Sequence, residues 1–455
     1  MQAGMMFHAR VEAEAGLYVT QLQVDLRDLD PARLRAAWAT ALARHETLRS
    51  GFAEASGGTA VQWVARDVDL PWRDLDWRGR PDAAAALEAL AREERVLPFD
   101  LAAPPLMRWV LARTADREYR LLWTSHHLLL DGWSTSRLLG EVLRAYQGGA
   151  VAAPTARYRD YLAWLVRRDA ATAQTWWTAE LAPLAEPSLL AAGITAGVMA
   201  EDAGHGDLLR RFNAADSAKL SAYARQQRVT PNTLVQAAWA RVLQAELGQS
   251  TVAFGATSSG RPAELPGAET LLGLFINTIP VICPAAPAQR VGDWLRAVQA
   301  RSMAALDHQH TPLYDIHRWA GQGGRALFDT LVVFENYPID AALRDAEPGG
   351  LGIGQVHNSD PTHYPLTLEA ALRREAGTPV LSLRYVYRRD RLTAARVEAL
   401  AGAFERVLMA IIADADQMVS ELDGTSLAER RALLSQGDGG AARVVASVPE
   451  RLAAQ

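Results

Sequence analysis

The sequence predicts an α+β protein built as two comparable halves. Long stretches of helical periodicity alternate with short strand-like runs. A stretch rich in Ala, Gly, Pro and Ser over residues 183–206 interrupts this pattern, and similar elements follow it in a similar order. With 455 residues, 49% of them hydrophobic, the chain is long enough for at least two cores. We therefore expect a functional site in a cleft between the halves.

The first half begins with a strand and a well-marked helix. Residues 17–26 alternate between apolar and polar side chains, as in a strand with one buried face. Apolar residues recur at helical spacing over 31–45, where Asp30 is a suitable N-cap and Pro31 occupies the first turn. Two paired strands are expected at residues 106–111 and 119–125. Two further helices are expected at residues 135–146 and 158–168.

The second half repeats this mixture. Its clearest element is a helix over 230–247, with Thr230 as the N-cap and Pro231 in the first turn. The other expected helices are at residues 217–227 and 393–413. The expected strands are at residues 208–212, 251–256, 277–282 and 330–335, with a further pair at 366–372 and 381–387.

The most informative stretch is HHLLLDGWS at residues 126–134, directly after the strand at 119–125. Successive side chains in a strand point to opposite faces, so one histidine can face a cleft while the other packs inside. Two interpretations are about equally supported by these residues. Either one imidazole acts as a base or hydrogen-bond partner in a cleft, or both histidines are packed and hydrogen-bonded in the core. Gly132 favours the cleft, because glycine lets a ligand approach the backbone closely. Adjacent strand histidines diverge and no cysteine lies nearby, so a metal site is disfavoured.

A second polar stretch, Ser258-Ser259-Gly260-Arg261-Pro262, follows a predicted strand in the second half. An arginine on such a turn can reach a buried carboxylate with two parallel hydrogen bonds, and Asp131 is the candidate. Asn277 begins a later apolar strand, where its amide can bind backbone or ligand. A simple strand and turn is the safer interpretation of Asn277.

Composition excludes several classes of function. The net charge of −5 is too small to indicate a nucleic-acid partner. Cys283 is the only cysteine, which excludes an intrachain disulfide and suits a cytoplasmic protein. Lys219 is the only lysine and does not lie in a Gly-Lys-Ser/Thr sequence, so a P-loop is excluded. No apolar run approaches the ~20 residues of a membrane span, and we expect no membrane association.

Seven stretches, in order, resemble the motifs of condensation domains from nonribosomal peptide synthetases. Residues 126–134 fit the HHxxxDG signature in full. That signature alone also occurs in other acyltransferases, whereas seven motifs in order are specific. His310 departs from the pattern, because the family usually has aspartate there. The other six stretches are residues 1–8, 44–52, 158–164, 273–278, 308–313 and, in a diverged form, 328–338.

The resemblance implies two lobes similar to chloramphenicol acetyltransferase, arranged in a V around a central tunnel. We expect the N-terminal lobe at residues 1–175 and the C-terminal lobe at 176–425. The Gly- and Ala-rich residues 426–455 resemble the start of a linker toward a downstream adenylation domain. The chain is accordingly expected to be an excised part of a longer polypeptide and monomeric by itself.

The implied reaction is amide formation between two carrier-bound thioesters. A donor carrier domain delivers an acyl or peptidyl group on a phosphopantetheine arm, and an acceptor carrier delivers an aminoacyl group. The expected partners are thus these two carriers and the adenylation domain, and the domain itself is expected to bind no cofactor.

The resemblance also implies roles for individual residues. His127 faces the tunnel and is catalytic, and the backbone N–H of Gly132 faces the developing oxyanion. His126, Asp131 and Arg261 support the site. The residues expected to line the tunnel are Trp133, Ser134, Ser259 and Asn277.

Other members of the same superfamily leave alternatives open. A starter condensation domain joins a fatty acyl group to the first amino acid, some domains select D-configured donors, and an epimerase also uses the double histidine. A docking platform without catalysis is disfavoured by the intact His127 and Gly132. Heterocyclising relatives have aspartate in place of the double histidine and are disfavoured too.

Overall fold

The computed structural model describes residues 16–55, 58–192, 204–323, 325–335, 351–375 and 378–425, with residues 2, 4–6 and 431. Apart from residue 431, the predicted linker at 426–455 lies outside the described residues. So do part of the first motif and residues 336–338 of the last one.

The described chain mixes strands and helices throughout, as predicted. The strands are β1 (Val19–Arg27), β2 (Ser50–Glu54), β3 (Ala60–Val64), β4 (Trp72–Asp76), β5 (Met107–Arg113), β6 (Glu118–His126), β7 (His205–Arg211), β8 (Thr251–Ser258), β9 (Asn277–Pro284), β10 (Thr330–Glu335), β11 (Gly352–Ser359), β12 (Leu366–Glu375) and β13 (Thr378–Arg388). The α-helices are α1 (Pro31–Arg44), α2 (Ala83–Val96), α3 (Gly132–Tyr146), α4 (Tyr158–Val166), α5 (Ala170–Leu181), α6 (Ala214–Gln227), α7 (Pro231–Leu247), α8 (Val291–Leu306), α9 (Leu313–Trp319) and α10 (Ala394–Ala413).

Two large sheets organise the fold. The first has the strand order β11-β1-β6-β5-β4, and the second has the order β7-β13-β12-β10-β8-β9. The two strand pairs predicted from the sequence, β5 with β6 and β12 with β13, are both antiparallel neighbours. The α+β class is confirmed, and two sheets are consistent with the predicted two-lobed arrangement.

The position of β11 does not follow a simple division of the chain into two halves. This strand comes from the second half of the sequence, yet it pairs antiparallel with β1 at the edge of the first sheet, where Ser359 lies opposite Gln21. No strand was predicted over these residues. β11 therefore ends on the same side of the first sheet as β6, near the start of β1.

Predicted caps begin two of the helices. The carboxylate of Asp30 accepts hydrogen bonds from the backbone N–H groups of Ala32 and Arg33, and Pro31 starts α1. Likewise, the hydroxyl of Thr230 accepts a hydrogen bond from the N–H of Thr233 at the start of α7. Both predicted helices are confirmed.

Each large sheet has its own aromatic core. Trp38 of α1 packs between Trp109 and Trp123 of the first sheet, with ring centroids 5.1 and 4.6 Å away. On the second sheet, Phe404 of α10 packs against Tyr385. Burial of each such side chain stabilises the fold by roughly 2–3 kcal/mol. Covering one face of each sheet with helices leaves the other face available for a site.

Helix α5 spans the predicted lobe boundary at residue 175. Its Trp177 and Leu181 belong to a buried cluster with Ile279 and Phe328 of the second half. The boundary itself stays a prediction. No helix among the residues described here is long and apolar enough to cross a bilayer.

Candidate active site

The double histidine lies where β6 ends and α3 begins. β6 runs between β1 and β5 and ends at His126. α3 begins at Gly132 because the carboxylate of Asp131 accepts a hydrogen bond from the backbone N–H of Ser134 at 2.7 Å. The helix therefore starts three residues before residue 135, where the sequence placed it.

Both sheets contribute walls to one cavity of about 1210 Å³ next to this loop. Thr20, Trp123 and His127 line it from the first sheet and the loop that follows, and Glu369 and Arg384 line it from the second. This volume is larger than the ~300–1,000 Å³ of most small-ligand pockets. The cavity therefore has room for an extended substrate.

The two histidines occupy different environments. His126 is buried and contacts Phe99 edge to face, and its Nδ1 accepts a hydrogen bond from the backbone N–H of Leu128 at 3.1 Å. Burial, followed by the neighbouring His127, lowers the pKa of His126 to about 3. His127 instead lines the cavity, and its backbone N–H donates to the carbonyl of Tyr18 at 2.8 Å. His126 is thus a neutral packed residue, and His127 faces the cavity.

An acidic partner accompanies the ring of His127. The Nε2 atom of His127 lies 3.4 Å from the Oδ2 atom of Asp360, directly after β11. Burial by itself would lower the pKa of His127. The charge and hydrogen bonding of Asp360, aided by the more distant charge of Asp131, outweigh burial and raise this pKa to about 9. The contact with Asp360 therefore favours the protonated form of the imidazole.

The carboxylate of Asp131 connects the two halves of the chain. Its Oδ1 accepts a hydrogen bond from Arg261 Nη2 at 3.1 Å, and its Oδ2 accepts one from the backbone N–H of Phe275 at 3.1 Å. Arg261 also donates to the hydroxyl of Ser134 at 2.8 Å and lies over the ring of Phe275. The carboxylate is fully buried, and these partners and the helix cap use both of its oxygens. Asp131 therefore lies on the cavity wall with both of its carboxylate oxygens already occupied by hydrogen bonds.

Of the four residues expected to line the tunnel, Asn277 lies on the cavity wall, and its amide donates to the carbonyls of Gln309 and Thr311. Gly132, predicted as catalytic, also lines the cavity. Trp133, Ser134 and Ser259 do not lie on its wall.

Their local structure explains where these three side chains lie. Trp133 lies in the first turn of α3 with its side chain 40% exposed, and its indole N–H donates to the carbonyl of Glu269. Ser134, one residue further along the helix, turns its hydroxyl toward Gly273. Ser259 lies past the end of β8 and is exposed.

Sequence reasoning missed a charged wall formed by the second sheet. The Oε2 atom of Glu369 lies 3.3 Å from Nη1 of Arg384, and Arg384 also forms an ion pair with Asp207. The Oε2 atom of Glu335 lies 3.3 Å from Nη2 of Arg373. Burial, followed by the charge of Glu335, raises the pKa of Glu369 to about 8. The available signal was Glu369, the one charged residue within the apolar strand predicted at 366–372. The cavity therefore offers polar contacts at a distance from His127.

Within the described ranges, no three His, Cys, Asp or Glu side chains are grouped closely enough to hold a metal ion. The arrangement instead presents an imidazole, a carboxylate and a helix N-terminus to one cavity. Such a set suits proton transfer and the orientation of substrates.

Three curated relatives resemble nearly the whole chain. Linear gramicidin synthase subunits C and D of Brevibacillus parabrevis are 33% and 35% identical to it over 446 and 427 residues, which cover 95% and 90% of this chain. Chondramide synthase cmdD of Chondromyces crocatus is 38% identical over 372 residues, or 80% of this chain. The matched parts make up 6%, 8% and 9% of those proteins. The chain thus spans less than a tenth of the length of these relatives.

Solved structures share the fold. The first condensation domain of the calcium-dependent antibiotic synthetase, in complex with a substrate analogue, matches with a TM-score of 0.74 at 20% identity, over 92% of this chain and 97% of that one. A mutant starter condensation domain of rhizomide synthetase RzmA, in complex with C8-CoA, matches with a TM-score of 0.75 at 19% identity, over 93% and 96%. The X-domain from teicoplanin biosynthesis matches with a TM-score of 0.74 at 21% identity, over 93% and 96%.

The family assignment comes from the sequence as a whole. A family model described as the condensation domain matches residues 1–434, which is nearly the entire chain. The relatives are named as gramicidin and chondramide synthases, and His127 of the predicted motif lines the cavity. The protein therefore belongs to the condensation-domain family.

Proposed function

We propose that the protein forms an amide bond between a donor acyl or peptidyl thioester and the amine of an acceptor aminoacyl thioester. The observation that carries this proposal is His127, which lines a cavity walled by both sheets in a chain of the condensation-domain family. A reaction between two tethered substrates needs one reactive group that both can reach.

Phosphopantetheine arms of carrier domains are the proposed means of delivery. The cavity has the volume for an extended arm, and the related starter domain was solved with C8-CoA, whose CoA includes a pantetheine unit. The relatives are at least ten times longer than the matched region, which leaves room for carrier and adenylation domains in one polypeptide. The lobes at 1–175 and 176–425, the linker at 426–455 and the cytoplasmic location stay predictions.

The proposed chemistry is direct aminolysis of the donor thioester. The acceptor nitrogen attacks the donor carbonyl, so a C–N bond forms and a C–S bond breaks. A free α-amine has a pKa near ~8, and a neutral fraction is therefore present at cellular pH. In its neutral form, His127 takes the proton that the amine loses and returns it to the departing sulfur. Proton balance is thereby kept without another reactant.

Two other groups assist this step in the proposal. Gly132 lines the cavity at the N-terminus of α3, where backbone N–H groups lack helical partners. Its N–H is proposed to donate to the oxyanion that develops on the donor carbonyl. Asp131 and Arg261 hold the loop between β6 and α3 and take no proton, because both oxygens of the carboxylate are already bound.

Reconstitution with defined carriers tests the proposal. The protein is mixed with a donor carrier loaded with an acyl-amino acid and an acceptor carrier loaded with an amino acid, and the acceptor arm is followed by mass spectrometry. We expect the acceptor arm to gain the mass of the donor acyl group, and we expect His127→Ala to lose this product. Equal product with wild type and His127→Ala would contradict the assignment of His127.

Two further arms separate the alternatives. Acyl-coenzyme A offered in place of the donor carrier tests for a starter domain, which would acylate the acceptor from that donor. An acceptor-free reaction followed by chiral analysis tests for an epimerase. Failure of every donor and acceptor pair, with carrier binding retained, would instead indicate a docking platform.

A further inference from the structure

We propose that Asp360 is a positioning residue for His127: its carboxylate pairs with the resting imidazolium, and the proton must leave this pair before His127 takes one from the acceptor amine. This inference rests on the proposed function. It adds an acidic residue in contact with His127, distinct from the aspartate of the HHxxxDG motif.

Strand register brings the two residues together. β11 and β6 both pair antiparallel with β1, so they run in the same direction on either side of it. Ser359 at the end of β11 lies opposite Gln21, and His126 at the end of β6 lies opposite Val19. The residues that follow the two strands therefore leave the sheet on the same side. That side faces the cavity, because Asp360 and His127 both line it.

The contact is suited to a charge pair that exchanges protons with water. Asp360 Oδ2 lies 3.4 Å from His127 Nε2, and the two side chains are 35% and 9% exposed. The exposed part of Asp360 brings the pair into contact with solvent. His127 by itself has little access to water.

Other charged groups near His127 do not take this role. Asp131 approaches from the loop before α3, but Arg261 compensates its charge. His126 precedes His127 and is neutral, since burial followed by the adjacent His127 lowers its pKa to about 3. The ring of His363 binds the hydroxyl of Tyr18 on the same wall of the cavity. Asp360 is the carboxylate in contact with the ring.

The consequence is a specific dependence of the reaction on pH. While His127 is paired and protonated, it accepts no proton from the amine, so the rate of amide formation rises as the pair loses its proton. Removing the negative charge of Asp360 lowers the pH at which this happens. The amine of the acceptor titrates in the same range, so the pH profiles are interpreted together with a direct titration of His127.

The experiment compares wild type with Asp360→Asn in the reconstituted condensation reaction from pH 6 to pH 10. We expect the pH of half-maximal rate to fall in Asp360→Asn, toward the ordinary amine value near ~8. Asp360→Glu keeps the charge and is expected to return the midpoint toward that of wild type. Asp207→Asn removes a carboxylate from the same cavity without contacting His127, and its midpoint is expected to match wild type.

A direct titration separates this inference from the proposed function. Histidine labelled with ¹³C at Cε1 is incorporated into the full chain, and the His127 signal is assigned by its loss in His127→Gln. We expect this signal to titrate at higher pH in wild type than in Asp360→Asn, whether or not any amide is formed. Identical titration in the two proteins would overturn the role of Asp360. Absence of condensation with a shifted titration would overturn only the proposed function.

Discussion

Arg261 and Asp131 form a buried ion pair although 130 residues separate them in the sequence. One guanidinium nitrogen lies 3.1 Å from Oδ1 and 3.3 Å from Oδ2 of the carboxylate. Because the aspartate caps α3 and the arginine lies on the turn after β8, the pair connects the two large sheets beside the cavity. The loop that carries His127 is thereby fixed to the second half of the chain.

Breaking this pair is expected to destabilise the protein strongly. Asp131→Ala and Arg261→Ala each leave an uncompensated buried charge, and each is expected to lower the free energy of unfolding by about 3–5 kcal/mol. Denaturant-induced unfolding of each variant measures this change. The double variant should lose less than the sum of the two single losses, because both remove the same interaction.

An exposed pair provides the control for this experiment. Arg80 and Asp82 form an ion pair on the surface, so Arg80→Ala is expected to leave the unfolding midpoint nearly unchanged. A large loss in Asp131→Ala together with none in Arg261→Ala would show that the two residues do not depend on each other.

Gly260 is expected to tolerate no side chain. Its φ angle is +60°, and a Cβ atom there would meet the carbonyl oxygen of Phe275 at 1.8 Å. Gly260→Ala is therefore expected to cost at least about 2 kcal/mol from backbone strain and overlap together. Gly248→Ala is the matched control, because its φ of +65° is similar but nothing lies within 4 Å of the new Cβ. Equal losses in the two variants would rule out the overlap with Phe275.

Acid is expected to destabilise the fold partly through His126. Burial, followed by the neighbouring His127, lowers the pKa of His126 to about 3, so between this value and the ordinary ~6.5 the unfolded chain binds the proton more tightly. The stability contributed by neutral His126 is complete above pH ~6.5 and falls as the pH drops toward 3. Melting temperatures from pH 4 to pH 7 should fall less steeply in His126→Gln. The same slope in both proteins would contradict a neutral buried His126.

His127→Ala is expected to reduce the rate of amide formation by about 10²–10⁴-fold, the usual contribution of a positioned acid or base. Single-turnover rates with preloaded carriers measure this reduction without interference from loading. His308→Ala provides the control, because His308 stacks on Trp176 and does not line the cavity. A similar loss in both variants would indicate a general effect on folding instead of chemistry at His127.

Sequence patterns predicted most of the elements that support the site. Strong caps such as Asp30 and Thr230 marked the starts of α1 and α7, because a side-chain oxygen that accepts backbone N–H groups is a local feature. Strand alternation before residue 126 indicated that the two histidines face opposite ways, and their surroundings do differ. Arg261 was also identified as the partner of Asp131, because an arginine on a tight turn can reach a buried carboxylate.

Other features depended on contacts between distant segments. β11 was not predicted, so Asp360 was not considered a site residue. Trp133, Ser134 and Ser259 were expected at the tunnel from the resemblance to the family. In a helix or a turn, however, neighbouring side chains point in different directions. Their actual directions follow from packing against Glu269, Gly273 and solvent.

The sequence by itself determined the α+β class, the family motifs and the adjacent pair of histidines of which one could face a cleft. These features are encoded in residue types and in periodicities over a few turns or strands. Only the tertiary structure decided that Asp360 lies against His127 and that a charged wall from the second sheet completes the cavity. The physical reason is strand register: pairing between β11 and β1 depends on hydrogen bonds across more than 300 residues, and no local pattern specifies such a pairing.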